Sequence, residues 1–175
     1  MRIVTKLELE PPDSFHVSSA TGWLELGNPQ EAELELGNVA PKYRSHPEVQ
    51  EVQLEIYLKS QQWEKAATLA QKLRDASPEN AQYWIHLAFA RRREPGGGIA
   101  AAKEVLVPAR AQFPKEPIIA YNLACYDCQL GDLDAARKWF NEALKIGGKV
   151  PIIRMALADS DLEPLWPEIQ SKQAP

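Results

Sequence analysis

The stretch NLACYDCQLGDLDAA, Asn122 to Ala136, decides how the chain is read. It holds a Cys-x-x-Cys pair, Cys125 and Cys128, which can serve as half of a zinc clip or as a redox dithiol. It also holds small residues, Ala124 and Ala136, on either side of Gly131-Asp132. Which pattern governs depends on whether that arrangement recurs.

It does recur. Ala20, Leu54, Ala88 and Ala124 stand 34, 34 and 36 residues apart. Ala32, Ala66, Ala102 and Ala136 follow steps of 34, 36 and 34, as do Leu36, Ala70, Leu106 and Phe140, and Val39, Leu73, Ala109 and Ala143. Gly27 and Gly131 share one phase, 104 residues apart. A fixed period of this size across independent series marks a stacked-repeat architecture. The longer step is placed at Pro95-Gly96-Gly97-Gly98, a turn with two extra residues. The units are then 13–46, 47–80, 81–116 and 117–150, preceded by an extended arm at 1–12 and followed by a capping helix and tail at 151–175.

Each unit divides into two helical patterns. In the second, Val52, Leu54, Ile56, Tyr57 and Leu58 precede a polar break at Ser60-Gln61-Gln62. Trp63, Ala66, Ala67, Leu69, Ala70 and Leu73 then recur at helical spacing. Pro29, Pro47, Pro78, Pro117 and Pro151 punctuate helix starts, where a missing backbone donor costs nothing. Ser77 and Asp132 are expected N-caps. Alanine at the crossings lets helices pack closely.

These residues resemble the tetratricopeptide repeat. The fourth unit carries the order small, glycine, alanine, aromatic, alanine as Ala124, Gly131, Ala136, Phe140 and Ala143-Leu144. The second unit matches through Tyr57, Ala66 and Pro78, and the third through Trp84, Leu87, Ala88, Ala102 and Pro114. The first matches through Gly27 and Ala32. The third departs from the pattern with Arg91 at an aromatic position and with its insertion. The resemblance spans roughly 13–150. It implies an all-α, right-handed α-solenoid of about four tetratricopeptide-type helix hairpins, closed by a C-terminal capping helix. The segment MALADSDLEPL, from Met155, resembles the closing stretch of bacterial proteins of this type.

The composition fits an ordinary globular chain, with 45% apolar and 25% charged residues. Net charge is -4. Residues 1–80 carry 8 basic and 13 acidic side chains, and residues 81–175 carry 12 and 11. A nucleic-acid partner is not expected, because no strongly basic region exists. The run Arg91-Arg92-Arg93 reads as a solvated helix face. No segment approaches the roughly 18 consecutive apolar residues of a membrane span. The opening MRIVTKLELE alternates charge with apolar residues, unlike a signal peptide, so a cytoplasmic location is expected.

Within the repeat, the cysteines fall in the later half of a first helix. A redox dithiol gains its low pKa at a helix N-terminus, and a structural zinc needs about four ligands. His16, His46 and His86 are scattered over three units. Packing as small hydrophobes is therefore the reading of Cys125 and Cys128, with dithiol or metal chemistry as the remote alternative. Gly96-Gly97-Gly98 lacks the Lys-Ser/Thr of a phosphate loop. The i,i+4 pairs Glu31/Glu35 and Glu51/Glu55 read as solvated helix faces. No catalytic group, cofactor or metal is expected, and the chain reads as a non-enzyme.

In the resembled family a groove lined by the first helix of each unit takes a segment of a partner protein. By phase, that surface comprises Ser14, Val17, Ser18 and Thr21 in the first unit, and Glu48, Glu51, Val52, Glu55 and Lys59 in the second. The third contributes Gln82, Ile85, His86, Phe89, Arg92 and Arg93. The fourth contributes Ile118, Tyr121, Asn122, Cys125 and Gln129. Phe89, Ile85 and Tyr121 are the expected apolar anchors, with Arg92 and Arg93 meeting acidic groups. Packing between neighbouring repeats is the other reading of Phe89 and Tyr121. Members that clamp a chaperone's terminal carboxylate use Lys, Asn and Arg at set positions. Here only Asn122 matches, and Val17, Thr21 and Val52 stand where polar clamp residues are needed. The expected function is a protein-interaction module, with a client-specific secretion or assembly chaperone, or a self-assembling homodimer, as alternatives.

Overall fold

A computed structural model describes residues 8–172. The described residues are helical and contain no strand. The helices are α1 (Asp13–Glu25), α2 (Pro29–Gly37), α3 (Pro47–Lys59), α4 (Trp63–Ala76) and α5 (Ala81–Arg91). They continue with α6 (Ile99–Gln112), α7 (Pro117–Gln129), α8 (Leu133–Gly147), α9 (Lys149–Ala156) and α10 (Trp166–Ser171). Short 3₁₀ turns occupy Pro41–Tyr43 and Ser160–Leu165. Of the arm expected at 1–12, residues 1–7 lie outside the described residues, and 8–10 have no regular secondary structure.

Consecutive helices pair as hairpins, α1 with α2 through α7 with α8, and the hairpins stack as an α-solenoid. The turn inside three of them is the same. Gly27, Gln61 and Gly131 all have positive φ, at 77, 56 and 83°. The next residue's N–H in each case bonds back five residues: Asn28 to Trp23, Gln62 to Tyr57, Asp132 to Asp127. This is the Schellman ending of a helix, which a left-handed residue completes. Glycine meets that demand without strain at 27 and 131, whereas Gln61 bears the Cβ cost. In the third hairpin the insertion replaces this bond with one from Gly98 N–H to Arg91 O.

Capping partly follows expectation. Asp132 accepts from Ala135 N–H and Asn28 from Glu31 N–H. Ser77 does not cap α5. It ends α4, and Asn80 caps α5 through Gln82 N–H. Proline stands at the first turn of α2, α3 and α7, but Pro78 lies in the turn before Asn80.

The crossings are made by alanine. Ala20, Ala32, Ala66, Ala70, Ala88, Ala102, Ala124, Ala136 and Ala143 have no exposed surface. Larger side chains there would hold the backbones apart. The first hairpin is tied off by buried Asp13, whose Oδ1 accepts from Ala40 N–H at 2.6 Å.

After α8 the chain turns back over the last hairpin. Ile152 and Ile153 of α9, Leu162 and Leu165 of the 3₁₀ turn, and Ile169 of α10 join the core of the third and fourth units. The Trp166 indole donates to Ala156 O at 2.9 Å. Covering the end of a solenoid removes its exposed core from water. The opposite end has no such cover among the described residues, and Phe15, Leu26 and Leu34 are exposed there. Leu162 is fully buried, so Leu162→Ala should cost about 2–5 kcal/mol of stability. Urea unfolding followed by circular dichroism measures this.

Candidate functional site

The first helices α1, α3, α5 and α7 share one face, and the structure divides that face into two different halves. Over α1, α3 and α5 it is open. Side chains from Thr21 and Leu24, from Glu51, Val52 and Glu55, and from Gln82, Tyr83 and His86 line a recess of about 340 Å³. The Tyr83 hydroxyl donates to Glu51. Burial, with the adjacent carboxylate, pushes the Tyr83 pKa up to about 12, so the phenol stays a donor. His86 Nε2 lies 3.4 Å from Glu55. Burial lowers the His86 pKa, against an opposing pull from Glu55.

Over α7 the face is closed by the chain's own tail. The Tyr121 hydroxyl donates to Asp159 at 2.8 Å, and the Cys125 thiol approaches the same oxygen at 3.5 Å. Arg92 grips Asp161 with both terminal nitrogens, Nη2 at 2.9 Å. The Gln129 amide donates to Asp161 O at 3.1 Å. Asp159 also accepts from Asp161 N–H, which holds the two carboxylates in one turn. Bidentate Arg–carboxylate pairing of this kind fixes geometry as well as adding energy.

The expected groove residues therefore separate. Gln82, Phe89, Arg93 and Gln129 are exposed, and His86, Arg92, Ile118 and Asn122 are half-buried. Ile85, Tyr121 and Cys125 are buried, with Tyr121 at 4% exposure. An open anchor at Tyr121 is corrected: it is packing surface beneath the tail. Phe89 remains 38% exposed. Its ring meets Trp63 edge-on, with centroids 5.8 Å apart, and the Arg93 guanidinium lies 3.5 Å above it. Cation–π stacking of this kind holds both side chains in place. The arginine run is only in part a solvated face, since each of its side chains is engaged. Arg91 pairs with Glu94, Arg92 with Asp161, and Arg93 covers Phe89. Asp159 and Asp161, which tie the tail to α7 and to Arg92, are beyond the reach of sequence reasoning, because no local pattern in MALADSDLEPL pairs Asp161 with a residue 69 positions earlier.

Cys125 with Asp159 and Asp161 is a group close enough to hold a cation. Its donors are already engaged: Arg92 neutralises Asp161, and Tyr121 donates to Asp159. Burial raises the Cys125 pKa strongly and the neighbouring carboxylates add to it, which favours the thiol over the thiolate a metal requires. Burial also raises Cys128. The arrangement is a hydrogen-bonded lock. Two larger clefts, about 730 and 800 Å³, lie between successive second helices on the other side. Each mixes acidic and basic side chains.

Both thiols are free and buried, so neither should react with a disulfide reagent near pH 8 while the protein is folded. Both should react once denaturant is added, and spectrophotometric thiol titration reads the two numbers.

No helix of the described residues is long and apolar enough to cross a membrane. No curated protein matches the chain. A family model described as tetratricopeptide repeat matches residues 87–151, from within α5 into α9. That family in general is a non-enzymatic scaffold whose repeats mediate protein–protein interaction. The matched residues are tetratricopeptide repeats, and helix hairpins of the same kind run from α1 to α8.

Proposed function

We propose that the chain is a non-enzymatic module that holds a segment of a partner protein in the groove over α1, α3 and α5. The observation that carries this reading is the division of the first-helix face. The tail fills the part over α7, while the part over α1, α3 and α5 keeps an open recess with apolar walls and fixed polar groups. Binding sites are typically concave, with a few placed polar groups that orient the ligand. Phe89, held by Trp63 and Arg93, is the aromatic anchor at the groove's edge toward the tail. Rigid aromatic residues beside arginine are the common composition of binding hot spots. Arg92 is spent on Asp161, which leaves Arg93 as the cation beside that anchor. A cytoplasmic location suits free thiols, since reducing compartments keep cysteine unpaired.

A self-assembling reading draws on a separate observation. Phe15, Leu26 and Leu34 are each exposed on the first hairpin. A second copy meeting this hairpin would give a homodimer.

The groove reading is tested by filling the recess from its rim. Gln82 is exposed, so Gln82→Trp should leave the melting temperature within a few degrees of wild type. Its affinity for a captured partner should fall by more than about 1 kcal/mol, read by calorimetry. Unchanged affinity would place the partner elsewhere.

A further inference from the structure

The open recess has an unusual charge balance. Glu51 and Glu55 stand one helical turn apart on α3, and no lysine or arginine lines the recess with them. Glu51 receives the neutral Tyr83 hydroxyl. Glu55 faces His86, whose pKa burial lowers. Like charges at this spacing oppose each other. Four carboxylates that bridge elements elsewhere among the described residues meet a full cation, whereas Glu35 meets His16 and Asp159 meets the Tyr121 hydroxyl. Asp127 has Lys103, Glu142 has Arg110, Asp161 has Arg92 and Glu168 has Arg137. The recess is thus a place where two carboxylates have only a hydroxyl and a largely neutral imidazole as partners. Its remaining wall combines apolar Leu24, Val52 and Leu54 with uncharged Thr21, Asn80 and Gln82.

We infer that the recess takes a lysine or arginine side chain from a basic segment of the partner protein. The cationic head lies between Glu51 and Glu55, and the aliphatic stem lies along Val52 and Leu24. Long basic side chains bury their stems on apolar surface while the head stays with polar groups. Complementary charge also steers the partner toward the groove and selects against acidic segments. The inference rests on the groove reading and deepens it. It reverses the acidic partner expected from Arg92 and Arg93, because Arg92 is occupied by the chain's own Asp161.

The test uses the full chain and a displayed library of random peptides, about twelve residues long, sized to an extended strand along three helices. The best selected peptide is then synthesised and titrated against wild type, Glu51→Gln, Glu55→Gln and Gln82→Trp. The glutamine variants keep side-chain shape and remove one of two repelling charges, so thermal melts should be at or above wild type. The inference expects a basic residue at a fixed position in the selected peptides. It expects binding to be blocked by Gln82→Trp and to weaken about tenfold or more in each glutamine variant, and also with added salt. Peptides blocked by Gln82→Trp but lacking a fixed basic residue, or indifferent to both glutamine changes, overturn the basic partner and leave the groove standing. Failure to select any peptide that Gln82→Trp blocks overturns both.

Discussion

The close approach of helices at alanine is the constraint on which everything else depends. Eight of these positions, Ala20, Ala32, Ala66, Ala88, Ala102, Ala124, Ala136 and Ala143, are sealed from solvent and recur with the repeat. A larger side chain at any of them would push two backbones apart in a packed interior that cannot absorb the volume. Because each hairpin leans on the next, the displacement would propagate along the stack. The same spacing sets the first helices side by side, so one shared face follows from the packing rule.

What occupies that face is set by the other end of the chain. The return from α9 through the 3₁₀ turn buries Leu162, Leu165 and Ile169, each contributing about 1.5–3 kcal/mol on removal from water. With that anchoring, Asp159 and Asp161 are carried onto Tyr121 and Arg92. The polar contacts satisfy groups that burial would otherwise leave unpaired. Hydrophobic anchorage of this size makes the tail a built part of the domain, and it fixes the open groove as the part over α1, α3 and α5.

The repeat was legible because it is written in local terms. Period, small residues and turn glycines all lie within one helix or one hairpin, so Gly131-Asp132 could be read as a turn and cap without knowing anything distant. Asn80 shows the edge of that legibility. Ser77 and Asn80 both suit a cap, and only the geometry of the turn through Pro78 selects the second. The groove was half legible. Helical phase puts Gln82, His86 and Phe89 on the first-helix face, and it puts Tyr121 and Cys125 there as well without revealing that the tail covers them. The pairing of Arg92 with Asp161 spans 69 residues, and no periodicity carries information over that distance. The cysteines were legible once the repeat was known, because their position late in α7 removes the helix N-terminus that would have activated them.

The account stands on the tail filling the α7 half of the groove, and hydrogen exchange read by mass spectrometry on the intact chain tests this most directly. The amides of Leu162 and Trp166 are hydrogen-bonded within the returning segment, and that segment is held by buried leucines. Peptides covering residues 157–170 should therefore exchange on the slow timescale of α7, since local opening would have to expose core. Exchange of those peptides within seconds, while α7 stays protected, would show a detached tail and a groove open along its whole length.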